Sequence, residues 1–242
     1  KTTVNYNRDV EVYPILEALF KKIYGETPYY SPTDMGVNMA GFCIVDEDKV
    51  TEACKQEVIR RYYETKCRVR LGKATEQEVE KINMIMAQLS TNIGERKSVE
   101  AALNKEKEKK VPAFALELKD GTIITGKQSK LLTATSAALL NSIKYLAGVK
   151  DQLKLLSPNI IEPICKLKEY IYKEDNTRLN AEDVLTALSI NATTNAIVEE
   201  TLSMLPLLKN TEAHSTVMLN YEDEKVLKKL QINLTTESIT NK

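Results

Sequence analysis

Apolar positions along the first hundred residues recur mostly at helical spacing. Between residues 9 and 24, Val12, Leu16, Leu19 and Ile23 share one helix face, with Asp9 as a cap and Gly25 as a stop. A second helix starts on Asp46, Glu47 and Asp48, acids suited to the positive end of the helix dipole, and puts Cys54, Val58, Tyr62 and Val69 on one side. Thr75 and Glu78 form a capping box ahead of Val79, Ile82, Met86, Leu89 and Ile93, an a/d seam. That seam predicts lengthwise packing, on the second helix or on the same helix of a partner chain. The charged run NKEKEKK at 104–110 is the expected domain boundary.

Beyond it the period changes. Residues 113–118 and 122–126 read as short strands around Asp120-Gly121, a two-residue hairpin signal of the I′ kind. Helices are expected over 129–146, from the Ser157-Pro158 start, from Asn180 to near 189, and over 194–208 with a bend at Pro206. A strand over 214–219, a short helix over 222–230 and a strand over 232–236 then make a run long enough for a right-handed parallel crossover. The fold class that follows is mixed, helix-rich α/β. A helical region at 1–110, with an irregular loop at 31–44, precedes a mixed sheet covered by helices at 111–242.

Composition narrows the classes. Lys plus Arg and Asp plus Glu both total 34, so no net charge draws the chain to nucleic acid or to an anionic membrane. No apolar run approaches the roughly 18 to 20 residues of a membrane span. Cys43, Cys54, Cys67 and Cys165 are widely spread, and with one histidine a Cys/His zinc site is not expected. Reduced thiols in a cytoplasm fit that usage. No metal or cofactor is named by any motif. The chain opens on Lys1 rather than methionine and is read as a fragment or a processed product.

Four places hold candidate chemistry. The loop SPTDMGVNMAG places Asp34 and Asn38 beside Gly36 and Gly41, with Asp34 and Asn38 to orient a substrate or equally to close a turn. The helix after it has seven basic residues from Lys55 to Lys73 against Glu57 and Glu64. Its Lys55, Arg60 and Arg61 are candidates for phosphate or carboxylate, against the plainer reading of a solvated face. Gly126-Lys127-Gln128-Ser129 lies where strand meets helix, so Lys127 and Ser129 could hold a phosphate, although the full P-loop spacing is absent. His214 is the only histidine and is the candidate acid or base, with Thr216 on the same strand face; a structural histidine is the plainer alternative. Tyr62-Tyr63 beside arginines is too little for nucleic-acid binding.

Several strings taken together, KTTVNYNRDVEVYPIL, SPTDMGVNMAGFCI, KQEVIRRYY, DGTIITGKQSKLL and HSTVML, resemble an uncharacterised bacterial family, domain of unknown function 1846. The resemblance implies a protein about twice this length, with an upstream half carrying a glycine-rich segment, and it places this chain in the second half. That missing half would then be a partner. Some members are labelled ATP-dependent peptidases, but no protease motif stands in this sequence. NTRLN at 176–180 departs from the family pattern, which has a proline and a histidine there. Two functions follow as expectations. One is the C-terminal portion of an enzyme binding a phosphate-bearing small molecule or nucleotide. The other is a structural, homo-oligomerising module without activity of its own.

Overall fold

A computed structural model describes residues 6–27, 47–173 and 177–240, and its chain divides into two compact units at Arg96/Lys97. The first unit is helical. It contains α1 (Tyr6–Tyr24), α2 (Glu47–Arg70) and α3 (Glu76–Gln88), followed by a 3-10 turn at Ile93–Glu95. Helix α1 begins before Asp9, so Asp9 lies inside it and does not cap it. On α2 the buried stripe is Cys54, Val58, Ile59 and Tyr63, one position round from the expected one, and Tyr62 and Val69 are only half-buried. The capping box on α3 is present, with the Thr75 amide donating to Glu78 Oε1 at 3.0 Å.

The seam of α3 is used inside this unit. Val79, Ile82 and Met86 are buried, and α3 packs on α2 and α1. Of the two packing partners the spacing allowed, the second helix is the one observed. Leu89 is half-buried and Ile93, at the seam's end, is exposed.

The second unit is α/β. It begins with α4 (Lys97–Lys109), whose exposed end is the charged run at 104–110. Strands β1 (Ala113–Glu117) and β2 (Ile123–Lys127) form a hairpin. The chain continues through α5 (Ala134–Leu146), α6 (Pro158–Tyr172), α7 (Ala181–Ala192), α8 (Ala196–Leu202), β3 (Glu212–Ser215), α9 (Tyr221–Lys229) and β4 (Asn233–Thr236). The sheet order is β2-β1-β3-β4, with β1 antiparallel to both neighbours and β3 parallel to β4 across the α9 crossover. This is the mixed, helix-covered sheet the pattern predicts. Its hairpin turn differs in detail. Only Gly121 has positive φ, 82°, and the loop is closed by the Leu118 amide on Thr122 O, so it is a longer loop with a glycine bulge and not a I′ turn.

Register sets the two faces. Phe114 opposes Ser215 and Leu116 opposes Ala213; this face, except for Ser215, joins Ala138, Leu139, Ile143, Val184 and Leu188 in the core. Ala113, Ala115 and His214 share the other face, which α4 covers. Gly126 fixes how closely α5 lies on β2. A Cβ there would stand 2.2 Å from the Ala138 amide nitrogen and 2.6 Å from Ala134 O, so only glycine admits this approach. The expected helix over 129–146 begins five residues later, because Ser129 Oγ accepts the Leu131 and Leu132 amides and holds a turn there. The expected strand over 214–219 is displaced to 212–215, and the expected helix over 194–208 is α8 followed by a 3-10 turn at Leu205–Leu208.

Candidate functional site

The parallel pair ends in a crevice. A cavity of about 330 Å³ opens beyond the C-terminal ends of β3 and β4, lined by Ser215, Met218, Asn220 and Thr240 on that side and by Gln128 and Thr135 on the other. Crevices at the carboxyl ends of parallel strands are where open α/β sheets place their ligands. Local sequence builds this one from helix starts. Thr133 caps α5, Asn180 caps α7 and Asn220 caps α9, each side chain accepting an amide of its own first turn. The first two caps are tied together. The Thr133 amide donates to Leu179 O at 3.1 Å, and Ser136 Oγ donates to the same carbonyl at 2.8 Å.

Asp223 joins the third. It sits in the first turn of α9, is 2 % exposed, and its Oδ1 accepts the Ala181 amide of α7 at 2.6 Å. Burial pushes its carboxyl up to about 6, while the Ala181 amide and the Thr133 and Thr135 hydroxyls hold it down and Glu222 pushes it further up. Thr135 is fully buried and lines the crevice with Asp223. Among the described residues its hydroxyl closes no hydrogen bond, although it is near enough to act on the Asp223 carboxyl. Neither residue stands out in the sequence. Asp223 is the middle of three consecutive acids, and Thr135 lies inside what reads as a helix interior. The one signal that could have found them is Asn220, a cap residue type just ahead of the three acids.

Within the second unit the expected Lys127, Ser129, His214 and Thr216 do not line the crevice. His214 is fully buried on the α4 face, opposite Ser215 and the crevice. Its Nδ1 lies 2.9 Å from Thr235 Oγ1, which itself donates to Ala213 O at 3.1 Å, so Nδ1 carries the proton in that pair. Its Nε2 faces Glu237 Oε1 at 3.7 Å. Thr216 accepts the Ala113 amide at 3.0 Å and donates its own amide to Ala113 O, extending the β1–β3 ladder. Lys127 is exposed at the end of β2, and Ser129 closes its turn with its carbonyl held by Arg178 at 2.9 Å. No phosphate cradle forms at that turn, because no helix starts at Ser129. Asp34 and Asn38 lie outside the described residues.

The cations of α2 separate in the same way. Arg60 forms two bonds to Glu57, the shorter 2.6 Å, and Lys55 lies 3.7 Å from Glu95. Arg61 lines a cleft of about 590 Å³ within the first unit, with Arg68 and Lys81, the hydroxyl-bearing Thr65, and an apolar wall including Ile82 and Met84. Among the described residues Glu78 is the one acid on that lining, 4.0 Å from Arg68. Tyr63 is buried edge-on against Tyr62, whose ring has Lys66 5.3 Å above it, so this pair presents no stacking surface for bases. Among the described residues no helix is long and apolar enough to cross a membrane, and no group of three or more His, Cys, Asp and Glu side chains is placed to hold a metal ion.

Comparison with known proteins supplies no chemistry but settles kinship. Residues 94–242 match the family model described as domain of unknown function DUF1846, C-terminal, and residues 1–90 match its N-terminal counterpart. A UPF0371 protein of Clostridium botulinum is 46% identical over 244 residues, covering 97% of this chain and 49% of the relative. UPF0371 proteins of Streptococcus thermophilus and Streptococcus pneumoniae are 46% and 45% identical over 235 residues, covering 97% of this chain and 48% of each relative. The chain thus spans about half the length of the curated relatives it matches. Its expected placement in the second half alone is corrected by the match of residues 1–90 to the N-terminal model. Matched along its length by both models, this chain belongs to the DUF1846 family.

Proposed function

We propose that the chain binds a phosphate-bearing small molecule and that the cleft of the helical unit recognises its anionic group. The observation that supports this reading is the lining itself, where among the described residues Arg61, Arg68 and Lys81 share the cleft with Glu78. Among the described residues Lys81 has no ion-pair partner. Guanidinium groups suit phosphate because their donors form a planar fork, and a lysine adds a compact charge. The apolar wall of Ile82 and Met84 accepts a less polar part of the same ligand, which fits a nucleotide better than inorganic phosphate. In this reading the protein is cytoplasmic, on the strength of four cysteines that share no short spacing.

Isothermal titration of the chain with ATP, ribose 5-phosphate and inorganic phosphate tests it. Binding of at least one phosphate ester, weakened about tenfold in the double variant R61A/K81A, is the expected result. Equal affinity in the folded variant, or no heat with any of the three, overturns the reading. The assembly alternative has no comparable support, because the Val79 to Met86 seam is consumed inside its own unit.

A further inference from the structure

We propose that the crevice beyond the ends of β3 and β4 binds an uncharged polyol, a ligand presenting vicinal hydroxyls, through the Asp223 carboxylate, the Thr135 hydroxyl and the first amides of α5.

The groups on the wall determine that chemistry. The crevice offers one strong acceptor, the carboxylate of Asp223, whose Oδ1 already takes the Ala181 amide while the rest of its lone pairs have capacity left. It also offers donors. The amides of Ala134 and Thr135, first and second in α5, have no partner among the described residues, as expected of the first turn of a helix. The Thr135 hydroxyl, buried and closing no hydrogen bond, is both donor and acceptor and stands beside that carboxylate. Leaving such a group unpaired away from water is costly, and native interiors rarely do so without a ligand or an ordered water at the place. Gln128 and Asn220 add side-chain amides to the rim.

Charge then excludes the alternatives. Among the described residues Asp223 is the only charged one on the lining, and none of their lysines or arginines is there to receive a phosphate or a carboxylate. A free cation is disfavoured as well, because the N-termini of α5, α7 and α9 meet at this carboxylate with their positive ends. Helix ends and carboxylate roughly offset each other, which leaves a neutral ligand that both gives and takes hydrogen bonds. A hydroxyl does both. Pro112, Val217, Met218 and Leu219 line the same space and suit the C–H face of a sugar. A volume of about 330 Å³ is at the lower end of the range for small-molecule sites, which fits a single sugar ring. The vicinal diol is common to a free monosaccharide and to the ribose of a nucleoside.

Amide chemical-shift titration of the full chain near neutral pH, with D-ribose, adenosine, 2′,3′-dideoxyadenosine and inorganic phosphate as probes, decides the matter. Saturable shifts at Ala134, Thr135 and Asp223 with ribose or adenosine, absent with the dideoxynucleoside, are expected. Shifts with both ribose and adenosine point to a site for the sugar alone, and shifts with adenosine only to a nucleoside site. T135V, which removes only the hydroxyl, should keep its fold and weaken the effective probe about tenfold. No shift with either diol, equal binding of the dideoxynucleoside, or unchanged affinity in a folded T135V overturns the proposal. So does a response to phosphate alone. If T135V fails to fold, the dideoxynucleoside comparison on the unaltered chain still decides it.

Discussion

The Asp223 carboxylate takes the Ala181 amide at 2.6 Å and so ties the start of α9 to the start of α7 across forty-two residues of sequence. An ordinary aspartate has its midpoint at 3.8, whereas burial pushes this one to about 6. The unfolded chain therefore ionises this group at lower pH than the folded one does. Its contribution to stability is full below about pH 4 and is lost as pH rises through about 6, by about 3 kcal/mol in all. Subtracting the stability of D223N from that of the wild type isolates the effect. The difference should fall across that window and be flat above it, as read by urea unfolding at each pH. A difference that rises over the same window would mean that the helix ends outweigh burial and hold the carboxylate ionised.

Gly126→Ala should cost about 3 kcal/mol, because the new methyl meets the backbone of α5 and not a flexible side chain. Thermal unfolding measures it. A melting point within a degree or so of wild type would show that α5 can shift away from β2 cheaply.

Met86→Glu should destabilise the helical unit by about 3 kcal/mol by burying an uncompensated charge, and leave the mass of the folded particle unchanged. Urea unfolding and light scattering on the same sample separate the two readings. Unaltered stability with a smaller particle would put the seam in an interface between chains.

His214→Ala should lower stability by about 2 kcal/mol through a cavity and the lost hydrogen bond to Thr235, with ligand affinity untouched. Titrating the variant with whichever phosphate ester binds the wild type checks this. A loss of affinity in a folded variant would return the histidine to the chemistry.

The elements were legible where local chemistry sufficed. The Thr75 capping box, the strands flanking Gly121 and the crossover through α9 are set by cap residues, turn residues and alternation, all of which act over a few positions. What was not legible depends on partners far along the chain. Among Glu222, Asp223 and Glu224 nothing local shows that the middle acid turns inward; only the approach of Ala181 does. Ser129 and Thr133 are both reasonable caps in sequence, and the choice of Thr133 follows from its amide meeting Leu179. His214 looked catalytic because it was the sole histidine, yet its strand register turns it toward α4 and away from the crevice.

The strand order has a consequence for how the chain is made. Strand β1 has one edge closed at once by β2, but its other edge waits for β3, whose Ser215 pairs with Phe114 across 101 residues. On a ribosome the hairpin therefore emerges early, with an unpaired and strongly apolar edge, and keeps it until α5 to α8 have been synthesised. Closure of the sheet is the late, slow event, and β3 is the strand whose arrival ends the period in which another chain could pair there.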